Sequence, residues 1–242
     1  MKKNLIILFV QLMWVVSQGQ TWNVTYAQKI KFALSSPEKY SAEALKALEQ
    51  SFNEKAYYSL LVSNEESLYK ALPKIANDQR DGGNSTSFSS GNSFIYMNTK
   101  DGVYITEETY PKRFFILDTL QSFQWNLLEE EDELLGYPIK KAFAKTDDYH
   151  FIAWYAPTIS SKSGPAEYNG LDGLILKIEV HARKREEKVE IFAEKIEQLD
   201  VLHNLYPLKK STKTISREEF KQLFDDFVKK EDEMLNGGVD VD

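Results

Sequence analysis

The chain has 242 residues, 42% of them hydrophobic and 13% aromatic, with no cysteine and a formal net charge of −7. The absence of thiols excludes structural disulfides, a thiol nucleophile, a thiolate metal site and a lipid anchor on a processed cysteine. The fold must therefore be held by its core, which a chain of this size can bury. The acidic balance argues against nucleic acid, whose phosphates call for clustered Lys and Arg; the one basic cluster, His181 to Lys188, is interrupted by Glu186 and Glu187 and reads as a solvated turn.

At the start, Lys2 and Lys3 precede an apolar run from Leu5 to Val16, broken only by Gln11 and followed by the small residues Ser17 and Gly19. This is the three-part pattern of a secretory signal peptide over 1–19, cut before Gln20. The run is shorter than the roughly 20 apolar residues that span a bilayer. Losing Lys2 and Lys3 with the signal takes the net charge down by two, to −9. No later stretch is long and apolar enough to cross a membrane, so residues 20–242 are expected to form one soluble β-rich domain, exported to the periplasm of a Gram-negative cell.

Alternation with a period of two marks half-buried antiparallel strands. Trp22, Val24, Tyr26, Ile30 and Phe32 share one face while Asn23, Thr25, Lys29 and Lys31 share the other. Ser41 caps a helix running to Asn53, with Ala44, Leu45, Leu48 and Phe52 on one stripe; Tyr58, Leu60 and Val62 resume the strands. Residues 77–92 are mostly Asn, Asp, Gly and Ser, with almost nothing to bury, and read as a mobile loop inside the domain. Phe94 to Met97 and Val103 to Thr106 flank an Asp101-Gly102 hairpin turn.

Phe123, Trp125 and Leu127 alternate with Ser122, Gln124 and Asn126, which predicts a further strand. The five acids Glu129 to Glu133 read as a solvated loop between strands. A hairpin is expected from Ile139 to Tyr155, turning at Asp147-Asp148, and another from Leu174 to Ile196, with Leu174, Leu176, Ile178 and Val180 facing Val189, Ile191 and Ala193. Ser216 and Glu219 form a capping box for a C-terminal helix carrying Phe220, Leu223, Phe224, Phe227 and Val228. The fold class is mainly β (α+β): a meander of hairpins curved into an antiparallel sheet or partial barrel, with the C-terminal helix packed on an open face or mouth.

From Trp125 to Glu179 the pieces Gly136-Tyr137, Lys140-Lys141-Ala142, Ala153-Trp154-Tyr155-Ala156-Pro157-Thr158-Ile159, Gly164-Pro165, Tyr168-Asn169 and Gly170-Leu171-Asp172-Gly173-Leu174-Ile175 follow one another in order. This set resembles the GLPGLI family of exported envelope proteins, with Asp172 where the family usually has proline and Ile139 where many members carry cysteine. The resemblance implies export and a β-rich fold; it transfers no biochemical activity. Physically, Gly164-Pro165 fixes a turn, while Gly170 and Gly173 admit positive backbone angles or close approach. Two readings follow: a tight crossover packed under aromatic rings, or a binding surface built from Trp154, Tyr155, Tyr168, Asn169 and Asp172.

Catalytic constellations are not legible. His150, His181 and His203 lack partners at metal-ligand spacing, so no metal and no cofactor is expected. No nucleophile elbow occurs, and Ser160, Ser161 and Ser163 lie in a polar loop. Gly82-Gly83 lacks the lysine of a phosphate-binding loop, and the glycan-acceptor patterns at Asn23 and Asn84 read as coincidence. The resulting expectation is a non-enzymatic periplasmic binding or accessory protein, its partner a hydrophobic small molecule or an outer-membrane protein; an envelope hydrolase acting on peptide or glycan is the alternative. An apolar cavity of several hundred Å³ would mark a carrier. A filled core with an exposed apolar patch would mark a partner-binding module.

Overall fold

The computed structural model describes residues 20–32, 39–73, 92–200 and 204–236. The signal segment 1–19, all but the last residue of the 77–92 loop, and His203 lie outside the described residues. Eleven strands form one sheet: β1 (Thr21–Phe32), β2 (Ala56–Val62), β3 (Glu66–Ala71), β4 (Asn92–Asn98), β5 (Val103–Glu108), β6 (Phe114–Thr119), β7 (Asn126–Leu134), β8 (Tyr137–Lys145), β9 (Tyr149–Ala156), β10 (Leu174–Ala182) and β11 (Glu187–Leu199). The helices are α1 (Ala42–Asn53) and α2 (Arg217–Asn236). The expected hairpins form at the expected turns. Between β4 and β5 the Asn98 side-chain oxygen accepts from the Lys100 and Asp101 amides, each at 3.0 Å, and Gly102 takes φ 68°.

The strand order is β6-β5-β4-β3-β2-β1-β11-β10-β9-β8-β7, every neighbour antiparallel. Two meanders therefore join through β1 and β11, the first and last strands, while β6 and β7 are the edges. Alternating directions across eleven strands leave β6 and β7 pointing the same way. The six residues from Leu120 to Trp125 must then cross from the end of one edge to the start of the other. Extended, that link reaches about 25 Å, whereas a flat sheet would hold its edges about 48 Å apart. The sheet has to curl until its edges approach, yet β6 and β7 do not pair, so it stays open.

This link corrects the strand expected at Phe123 and Trp125: pairing begins only at Asn126, because the crossing link has no strand beside it. Glu129 to Glu133 are likewise no loop but the middle of β7. As an edge strand with both faces in water, β7 has no period-two pattern to betray it; Lys140 and Lys141 of β8 answer Glu131 and Glu130 at 3.1 and 3.2 Å.

Curling gives the sheet an inner and an outer face. Trp22, Val24, Tyr26, Leu60, Val62 and Met97 of one arm meet Ala153, Tyr155, Leu174, Leu176 and Ile178 of the other in one inner core. On the outer side, Leu68, Phe94, Tyr96 and Ile105 are covered by Leu205 and Leu208, which lie on the strap running from β11 toward α2. Ile215 at the strap's end bonds to β6, exchanging hydrogen bonds with Phe115 and Leu117 at 2.9 Å, which seals that edge.

Both helix caps form. Ser41 Oγ accepts from the Ala44 amide, and Ser216 and Glu219 bond reciprocally. From its capped start α2 sends Arg217 to Asp118, Tyr104 and Thr106, and sets Phe220 against Phe114 and Phe227 against Tyr110. Its other flank stays open, with Leu223, Val228 and Met234 exposed. No helix of the described residues is long and apolar enough to cross a membrane.

Candidate functional site

The segment between β9 and β10, residues 157–173, folds back into the inner face of the sheet. Ile159 and Leu171 are buried in the inner core, and Ser163, Gly164 and Pro165 are buried behind them. The backbone holds this fold: the Gly170 amide donates to Lys162 O at 2.8 Å, and the Ile175 amide to Ser163 O at 3.2 Å. From β1, the Tyr26 hydroxyl donates to Ile175 O at 2.6 Å and ties the root of the loop to the middle of the sheet.

Two glycines are demanded by this packing. A Cβ on Gly173, at φ 152°, would sit 2.5 Å from Ala156 O, and one on Gly164 would sit 2.7 Å from Ile175 Cβ. No side chain fits at either distance. Gly170 is different, with φ 95° and open space beside it up to the Trp125 ring. Pro165 leads into Ala166, a non-glycine residue at φ 52°.

The structure distributes the five candidate binding residues over three places. Trp154 and Tyr155 are consecutive in β9 and point to opposite faces. Tyr155 is buried in the inner core, whereas Trp154 faces outward under the Lys141 ammonium, 5.5 Å from its ring. Tyr168 sits among Phe123 and Phe151, with ring centroids 5.7 and 6.0 Å away. Asn169 is buried and engaged: its side-chain amide donates to Glu167 O at 2.8 Å and to Gln121 O at 3.3 Å, and its backbone carbonyl accepts from Trp125 Nε1 at 2.8 Å. Asp172 is exposed and pairs with Lys162 at 3.3 Å.

At the end of the sheet where the loop emerges, it faces the β2–β3 and β4–β5 turns across a groove of about 470 Å³. Asn64, Glu65, Thr99 and Lys100 form one wall; Ser160, Ser161, Lys162, Asp172 and Gly173 belong to the other. Each wall carries one acid and one lysine already paired, Glu65 with Lys100 at 3.5 Å and Asp172 with Lys162 at 3.3 Å. Among the described residues no aromatic ring lines the groove, and its two carboxylates are each held by a lysine of their own wall. Such a rim offers alternating charge and hydroxyls. It lacks both the stacking platform of a sugar site and the free carboxylate pair of a glycosidase.

His150 and His181 are cross-strand neighbours of β9 and β10 on the outer face, where His181 meets Glu179 at 3.3 Å. The serines of the loop lie on the inner side. Among the described residues no group of three or more His, Asp or Glu could hold a metal ion. Sequence reasoning passed over Glu167 and Tyr69, which the fold brings to the inner face beside Tyr168. Neither stands in a local pattern that would single it out.

The site thus belongs to an open, curled antiparallel sheet filled by its own β9–β10 loop. Residues 118–177, about a quarter of the chain, match the family described as a protein of unknown function, Porph_ging. No curated protein matches the chain. Among solved structures it is similar to PNGF-II in a C2 crystal form, with a TM-score of 0.55 and 18% identity over 84% of this chain and 32% of PNGF-II. The P21 form of PNGF-II gives a TM-score of 0.54 at the same 18% identity, over 84% of this chain and 33% of that one. The chain thus spans about a third of the length of PNGF-II. An uncharacterized conserved protein from Thermus thermophilus overlaps at a TM-score of 0.42 and 10% identity, over 81% of this chain and 90% of that one. At such identity the likeness to PNGF-II speaks for the fold alone, and the looser overlap carries no argument.

Proposed function

We propose that the chain is an exported accessory protein of the Gram-negative envelope, a single domain freed into the periplasm by loss of residues 1–19. In this reading it belongs with the GLPGLI proteins and binds a protein partner of the outer membrane at the groove beside its motif loop. One observation carries the choice of a protein over an apolar guest. Val24, Tyr26, Leu60, Val62, Met97, Leu174 and Leu176 of the inner face have no accessible surface at all. A void large enough for a ligand would leave the side chains lining it open to a water-sized probe. An apolar guest would therefore have to displace the motif loop. The exposed flank of α2 adds the apolar patch expected of a partner-binding module.

Native mass spectrometry of the protein purified from the periplasm of its own host tests this, alongside a Lys100→Glu, Lys162→Glu variant. A co-purifying polypeptide that the charge reversals release supports groove binding. A co-purifying lipid that they leave in place moves the reading to a carrier whose loop withdraws. Turnover of a peptide or glycan by the purified protein would favour the hydrolase.

A further inference from the structure

On the outer face of β8 to β11 and β1 the side chains fall into rows, because each strand is in register with the next. One row runs Lys145, His150, His181, Lys188, Lys31, every residue paired directly with its neighbour from β8 through β9, β10 and β11 to β1. Alternation puts these residues on the outer face, since Ala144, Phe151, Val180 and Val189 beside them pack into the inner core. Every member of the row is basic. Like charges directly opposite one another destabilise a sheet, so stability alone does not account for it.

The two rows beside it add Lys29, Lys141 and Lys177 but only two acids, Glu179 and Glu190. Six lysines thus meet two glutamates on one face of a chain whose net charge is −7. Both glutamates hold Lys177, at 3.0 and 3.1 Å, and Glu179 also takes Lys188 at 2.7 Å and His181 at 3.3 Å. Lys141 answers Glu130 of β7. Lys31 and Lys145, the two ends of the basic row, are exposed and have no ion partner among the described residues. The turns just beyond the row are balanced, with Arg183, Lys184 and Arg185 against Asp147, Asp148 and Glu186.

We propose that this row binds an acidic polysaccharide, a linear chain of uronic acid sugars lying across the strands. Neighbouring strands are about 4.8 Å apart, so the row spans about 19 Å and offers one base per strand. A linked pyranose advances its chain by about one strand spacing, which sets one carboxylate against each base. An extended polypeptide repeats its same-face side chains at about 6.8 Å, and duplex DNA carries a charge every ~1.7 Å; neither keeps step with the row. None of the three rows holds an arginine, whose fork suits phosphate, whereas ammonium groups serve single carboxylates. The row also runs round the curl of the sheet on its convex side. A flexible chain can follow that curve, while a flat membrane touches only its crest. The groove lies at the other end of β9 and β10, so this proposal does not rest on the protein partner.

The test is titration of the full chain with hexagalacturonate, against its methyl ester, hexaglutamate, inorganic polyphosphate and phosphatidylglycerol vesicles. We expect saturable binding of hexagalacturonate that weakens at least tenfold in high salt and is lost with the ester. Lys31→Gln with Lys145→Gln should weaken it at least tenfold while melting like the parent, and Lys145→Gln alone severalfold. Lys209→Gln with Lys210→Gln, which removes the same charge from the strap, should leave it unchanged. Equal binding of the ester, or equal effects of the row and strap variants, overturns the site. Tighter binding of hexaglutamate or polyphosphate than of hexagalacturonate overturns the polysaccharide. Binding of the vesicles without binding of the sugar overturns it too and assigns the face to a membrane.

Discussion

The two arms of the sheet finish their outer faces differently. Over β3 to β5 the outer face is apolar and roofed by the strap, with Leu205 1% exposed above Leu68, Phe94, Tyr96 and Ile105. Over β8 to β11 no such strap lies on top among the described residues. Trp154 and Phe192 are shielded instead by lysine ammonium groups, Lys141 over the first and Lys29 and Lys55 over the second. Between them Glu179 binds Lys177 at 3.0 Å and Lys188 at 2.7 Å. One arm relies on removing apolar area from water, which salt scarcely affects; the other relies on charge, which salt and acid both weaken.

The largest effect should fall where the arms meet through the motif loop. Gly173→Val forces a side chain into the Ala156 carbonyl and should cost about 3–5 kcal/mol in urea unfolding; an unchanged midpoint would refute the close approach there. Leu205→Ala, under the roof, should cost about 2–4 kcal/mol, with the same loss at low and high salt.

On the open arm, Glu179→Gln should cost about 1 kcal/mol at pH 7 and less in high salt. Burial works against the Glu179 charge, but hydrogen bonds from Lys188 and Lys177 outweigh it and hold the pKa down to about 2. A carboxylate lowered in the folded state stabilises above its unfolded pKa of about 4.3, and that contribution fades as pH falls toward the folded value. The parent and Glu179→Gln should therefore differ at pH 7 and converge near pH 2. A constant difference would move the effect from charge to packing. The smallest effect belongs to the β7–β8 turn, where Leu135 is held at φ 55°. Leu135→Asn should raise stability by roughly 0.5–1 kcal/mol, because Asn tolerates that conformation better.

The same contrast explains what could be read from the residues alone. Hairpins whose strands bury one face, such as Leu174 to Ile196, announce themselves by alternation, and Ser216 with Glu219 announces α2. β7 was illegible because neither of its faces is buried, and the link at Phe123 and Trp125 imitates a strand because alternate residues pack inward without pairing. The pairing of β1 with β11 leaves no local trace, since both are ordinary half-buried strands whose partners lie far off in sequence. Of the candidate site, Gly170 and Gly173 were legible as positions of positive backbone angle or close approach, whereas Gly164 read only as part of a turn and its contact with Ile175 appears with the fold. The division of Trp154 from Tyr155 follows from strand geometry once β9 is placed.

The central position of β1 beside β11 has a kinetic consequence. Each meander can zip locally from its own turns, but Thr21 pairs with Leu199, nearly the whole described chain away. Contacts of such long sequence separation form late and slowly. The clasp in the middle of the sheet cannot close until its last strand has been made, so the first half of the chain should leave the ribosome with β1 still unpaired on that side. If the chain is threaded through a membrane before it folds, as proposed above, that delay would work in favour of export, because the step that locks the sheet waits for β11 to arrive.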